Sequence, residues 1–134
     1  DFGLQIFPVP SRCAPGEIVV DVGRNSAATI MSGLGSPPPG AGNWTPMSQT
    51  LDVAADYGPM QDTTRENVVV LITDGWQWCD PYESSTRFNV VSSVEALRAL
   101  GVTVYVVGFG ASLTARRGRA ARHERAATLT APTR

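Results

Sequence analysis

Residues 68–72 are five consecutive branched or aliphatic residues, Val-Val-Val-Leu-Ile, with no polar interruption. A strand with one wet face alternates polar and apolar, so this run predicts a central parallel strand covered on both faces. A second near-continuous apolar run, 102–110, closes on Gly108-Phe109-Gly110 and predicts another strand. Two shorter strands are expected at 2–7, ending at Pro8 and Pro10, and at 17–22, entered through Pro15-Gly16. Three helices are expected between and after them. Residues 25–34 have Asn25 or Ser26 as N-cap, and 88–100 stop at Gly101. Residues 45–57 start with Thr45 as N-cap and Pro46 at the first helical position, with Met47, Leu51, Ala54 and Ala55 at helical spacing. Strands alternating with helices of this length imply the α/β class, with a parallel sheet and right-handed crossovers.

At 134 residues the chain is one domain at most. No apolar run approaches the roughly 20 residues of a membrane span, and no signal-peptide pattern opens it. The first residue is Asp1 and already reads as strand, so an excerpt of a longer protein is expected, and the missing signal says nothing about compartment. Every basic residue is Arg. Residues 1–110 hold 11 acids and 5 Arg, a sum of −6, and residues 111–134 hold 6 Arg and one Glu, a sum of +5. That tail is rich in Ala and Arg with only Leu113 and Leu129 as large aliphatics, so it is expected to be disordered or loosely helical. Without aromatic or Lys companions its arginines do not argue for nucleic acid, and His123 within it reads as a solvated side chain. Cys13 and Cys79 stand far apart in no metal-like spacing, leaving two buried thiols or one disulfide open.

The strand at 68–72 runs into Thr73-Asp74-Gly75, which places a hydroxyl and a carboxylate at its carboxyl end. In open α/β sheets that edge is where ligands bind, and a carboxylate held there suits a hard cation such as magnesium. Asp-Gly is also a common turn pair, so Asp74 is equally readable as a turn residue. Other candidates are weaker. Gly33-x-Gly35 follows a helix rather than a strand and is no dinucleotide fingerprint, and Gly108-Phe109-Gly110 lacks a third glycine. No set of parts for Ser-His-Asp or Cys-His catalysis is present.

Three features combine: Asn43-Trp44-Thr45-Pro46-Met47 opening a helix, the strand ending Thr73-Asp74-Gly75, and the strand Gly101-Val102-Thr103-Val104-Tyr105-Val106-Val107-Gly108. Together they resemble the von Willebrand factor A (vWA) domain over roughly residues 2–110. With Cys13 and Cys79 they look most like its bacterial extracytoplasmic branch. The resemblance implies a three-layer Rossmann-like parallel sheet with helices on both faces. It also implies a metal-ion-dependent adhesion site holding Mg2+, with Thr45 and Asp74 as ligands, and a disulfide between Cys13 and Cys79. The partner it implies is a protein offering an acidic side chain to the cation.

Two departures stand out. No Asp-x-Ser-x-Ser loop occurs in the chain, so the family's first strand and helix are expected upstream of residue 1 or lost. Two protein ligands would hold magnesium weakly, and removal of a central strand predicts a marginal or aggregation-prone chain. Asn43-Trp44 also replaces the family's small glycines. Trp44 and Trp76 are then either partner contacts at the rim or cover for the sheet edge. The function expected is protein binding rather than turnover. The alternatives are a metal-dependent hydrolase or phosphotransferase, with Asp21 and Asp80 as uncertain further carboxylates, and a structural vWA scaffold without metal.

Overall fold

The computed structural model describes residues 1–35, 44–79 and 84–109. The loop 36–43 with Asn43, the stretch 80–83 with Asp80, and everything from Gly110 onward, including the tail 111–134, lie outside the described residues. The class is mixed α/β, with three helices and four strands among those residues. The strands form two small sheets rather than one, and only the second is parallel.

β1 (Phe2–Ile6) and β2 (Glu17–Gly23) pair antiparallel, with Leu4 opposite Val20 and Ile6 opposite Glu17. No helix lies between them, and a parallel return needs a long crossover, so the chain doubles straight back. Gly16 makes the re-entry possible. Its φ is +85°, and a Cβ there would collide with the Ile6 carbonyl oxygen. α1 (Ala27–Leu34) follows, capped by Ser26, whose hydroxyl accepts the Thr29 N–H at 3.2 Å. Asn25, the other cap candidate, instead donates through its side chain to the Phe2 and Asp21 carbonyls, both at 2.7 Å, and ties the strand ends together.

α2 (Met47–Asp56) buries Met47, Ser48, Thr50, Leu51 and Ala54. Its cap position is Pro46 and not the expected Thr45, because the Thr45 backbone is bonded elsewhere. A 3-10 turn at Gly58–Gln61 then inserts Met60 into the core. The buried Asn67 side chain donates to the Met60 and Asp62 carbonyls, fastening this turn to the start of the next strand. β3 (Val68–Thr73) pairs in parallel with β4 (Thr103–Gly108), from Val68 opposite Thr103 to Thr73 opposite Gly108. The crossover between them is α3 (Asn89–Ala99), which ends past Leu100 at Gly101, in the left-handed region at φ +81°.

α2 and α3 pack on each other and on one face of β3–β4. Met47, Leu51, Met60, Leu71, Leu97 and Val102 make the core, with Val69 and Val104 against it. The expected burial of β3 on both faces is met on that side only. Val68, Val70 and Ile72 point the other way and are exposed, as are Tyr105 and Val107 beside them. No described element covers this face, so an apolar surface of five side chains stays in water.

The two faces should separate experimentally. Leu71→Ala is expected to cost about 2–5 kcal/mol in urea unfolding, as truncation of a buried aliphatic does. Ile72→Lys should change stability by no more than about 1 kcal/mol while lowering light scattering on concentration. Equal losses from both variants would mean that the Ile72 face is covered in solution.

Candidate functional site

Asp74 leaves β3 directly and is exposed at the strand's carboxyl end. The preceding Thr73 is buried, and its hydroxyl closes the turn: it donates to the Gly75 carbonyl at 3.3 Å and accepts the Gly75 N–H at 3.4 Å. The carboxylate is thus presented by a short turn on a strand whose other residues are locked in a parallel ladder.

Thr45 is tied by its backbone to the segment that follows Asp74. Its N–H donates to the Trp78 carbonyl at 3.1 Å and its carbonyl accepts the Trp78 N–H at 3.0 Å, an isolated antiparallel pair. This draws the segment opening α2 against the segment that follows Asp74. Residues directly opposite in such a pair put their side chains on one face. The Thr45 hydroxyl and the Trp78 ring therefore share a side, and Trp44, Gln77 and Cys79 occupy the other. Among the described residues the Thr45 hydroxyl takes part in no hydrogen bond.

Gln77 fixes this arrangement. It is 2% exposed, its Oε1 accepts the Ser48 N–H at 2.9 Å, and its Nε2 donates to Gln49 Oε1 at 2.9 Å. The open N-terminal turn of α2 is thus capped from 29 positions away in sequence, in place of the local side-chain cap expected from Thr45. Sequence reasoning missed Gln77, and no local signal exposes a cap supplied from that distance.

A third segment joins through sulfur. Cys13 and Cys79 are disulfide-bonded, with Cα atoms 5.3 Å apart and a separation of 66 in sequence. Of the two alternatives left open by the spacing, the pair is the one realised, and it fastens the β1–β2 connection to the end of the Trp78 segment. Aromatic residues line the junction. The Arg12 guanidinium lies over Trp44 at 5.7 Å and the Arg87 guanidinium over Trp78 at 5.6 Å, while Trp76 is more than half exposed.

Thr45 and Asp74 offer a hydroxyl and a carboxylate, the donor types magnesium takes, but two donors are only part of a six-fold shell. Among the described residues no group of three or more His, Cys, Asp or Glu is placed to hold a metal. Asp21 is engaged elsewhere: its carboxylate accepts the Tyr57 hydroxyl at 2.8 Å, and the Tyr57 oxygen accepts the Val22 N–H at 3.1 Å. The Val22 bond favours the phenolate, yet burial and the Asp21 carboxylate outweigh it and hold the Tyr57 proton above the usual range. That contribution to stability is present at neutral pH and fades as pH rises through the raised value. Asp21 is thus part of a latch between β2 and the end of α2, and Asp80 lies outside the described residues. No helix among the described residues is long and apolar enough to cross a membrane. No family model, curated protein or solved structure matches the chain.

The clamp should be measurable. Gln77→Ala leaves the Ser48 N–H without its acceptor and is expected to lower unfolding free energy by about 1–3 kcal/mol. Reduction by dithiothreitol should lower it by about 4 kcal/mol in the chain-entropy model. Both read as a shift of the urea midpoint. An unchanged midpoint after confirmed reduction would show that the disulfide contributes nothing to holding the junction.

Proposed function

We propose that this chain forms a vWA-type protein-binding module whose cation site uses Thr45 and Asp74. One observation supports the reading: the Thr45–Trp78 backbone pair sets the start of α2 against the segment that follows Asp74. The strand and helix motifs of the sequence support it independently.

In this reading the two small sheets belong to one larger three-layer sheet with helices on both faces. The Thr45 hydroxyl and the Asp74 carboxylate are the two side chains that would hold a magnesium ion. Such an ion would supply a positive centre for an incoming carboxylate. The chain's own work is positional: Gln77 and the disulfide hold both loops, and the ladder of β3 fixes where Asp74 emerges. The reading is one of recognition rather than turnover, since metal-dependent hydrolysis generally uses several carboxylates converging on the strand ends. An extracytoplasmic location fits the disulfide, which persists in oxidising compartments.

Calorimetric titration with magnesium tests this. The chain alone is expected to release negligible heat, and a form extended through the preceding codons of its reading frame should bind measurably. Asp74→Ala in the extended form should abolish the heat. Binding unaffected by that change would overturn the assignment.

A further inference from the structure

Asp74 differs from the other aspartates among the described residues in the residue that follows it. Asp1, Asp21, Asp52, Asp56 and Asp62 precede Phe2, Val22, Val53, Tyr57 and Thr63, each bulky or branched at Cβ. Asp21 lies in β2, and Asp52 and Asp56 lie in α2, where ladder or helix holds the backbone. Asp62 is engaged in its own turn, its carboxylate accepting the Thr64 N–H at 3.0 Å and the Thr64 hydroxyl at 2.6 Å. Asp74 is followed by glycine, and it stands exposed just past the end of β3.

That glycine has no conformational duty. Gly16 and Gly101 sit in the left-handed region, at φ +85° and +81°, and Gly75 does not. A Cβ built on Gly75 meets nothing within 4 Å, so neither crowding nor backbone angle calls for glycine there. What the missing side chain leaves open is the approach of the Gly75 nitrogen to the Asp74 carboxyl carbon. Only the carbonyl carbon, Cα and Cβ of Asp74 stand between those two atoms, so a bond between them closes a five-membered ring. The Gly75 N–H is held by the Thr73 hydroxyl at 3.4 Å, longer than the usual range for such a bond.

We propose that the Asp74–Gly75 link is a site of spontaneous isoaspartate formation. The Gly75 nitrogen bonds to Asp74 Cγ, and the carboxyl hydroxyl leaves with the amide proton as water, giving a cyclic imide. Water then adds to one of the two ring carbonyls. Opening at the Cγ–N bond restores aspartate. Opening between the nitrogen and the main-chain carbonyl carbon gives isoaspartate, with the chain running through Cβ and Cγ. The main chain is then one atom longer, and the carboxylate sits directly on Cα. β3 is paired up to Thr73, Gln77 is buried and Trp78 is bonded to Thr45, so positions 74–76 must absorb the extra atom. Conversion therefore loads the Thr45–Trp78 pair and weakens the junction. The chemistry does not depend on a cation at the strand end.

Peptide mapping of the whole chain, before and after incubation for weeks at neutral pH, tests this. After reduction, alkylation and trypsin, Asp74 lies in peptide 66–87, while Asp52, Asp56 and Asp62 lie together in peptide 25–65. The other aspartate in 66–87 is Asp80, and Pro81 after it has no N–H to cyclise. Peptide 66–87 should gain a second peak of unchanged mass, resistant to Asp-N cleavage before residue 74 and methylated by isoaspartyl methyltransferase. Unchanged mass separates it from deamidation of Asn67. The peak should grow about tenfold more slowly in Gly75→Ala, where a Cβ fits but narrows the angles open to the amide. Asp74→Glu, which would need a six-membered ring, should give none. The urea midpoint of the aged parent should fall, and that of aged Gly75→Ala should hold.

Conversion in the guanidinium-unfolded chain with none in the folded chain would overturn the proposal. Equal conversion in peptide 25–65, or an unchanged rate in Gly75→Ala, would do the same. Isoaspartate at residue 74 with an unmoved urea midpoint would sink the effect on the junction.

Discussion

Two backbone hydrogen bonds between Thr45 and Trp78 are the constraint on which the rest of the site depends, because they join the main chain of the segment opening α2 to that of the segment leaving β3. Everything around them serves that link. Gln77 can cap α2 only because Trp78 is held beside Thr45, and the capped helix in turn presents Met47 and Leu51 to the core. The disulfide reaches the same place from the β1–β2 connection. A backbone pair is indifferent to side-chain identity, so Thr45 and Trp78 remain free to differ in chemistry while their positions stay fixed.

The parallel pair β3–β4 contributes rigidity of a different kind. Its ladder is continued past both ends by the Thr103 N–H to Asn67 carbonyl bond and the Phe109 N–H to Thr73 carbonyl bond. Asp74 therefore emerges from a strand paired up to the residue before it. The same sheet carries the fold's chief weakness, since its second face exposes apolar side chains.

The elements were legible where a local cause decides them. Unbroken apolar runs located β3 and β4 almost to the residue, Ser26 was one of two readable caps for α1, and Gly101 stopped α3 as its backbone freedom requires. Expectations moved where a distant partner took over. Thr45 has the composition of a cap, but its backbone is committed to Trp78 and the cap comes from Gln77. Burial of β3 on both faces followed from its run of aliphatics, yet a run says only that two faces want cover, not that these residues provide it. Of the candidate site, the type of each donor was visible in Thr45 and Asp74. The arginine–tryptophan contacts were not, because Arg12 and Trp44, or Trp78 and Arg87, meet only through the fold.

The bond between Cys13 and Cys79 encloses the hairpin return, α1, α2 and β3 in one covalent ring. A single backbone cleavage anywhere inside that ring opens the loop without releasing a fragment. The severed halves keep each other at the high effective concentration of a tethered pair, so Thr45 and Trp78 can find one another again as neighbours rather than as separate molecules. The junction is thus protected against hydrolysis of the main chain as well as against thermal opening, for as long as its surroundings leave the sulfurs oxidised.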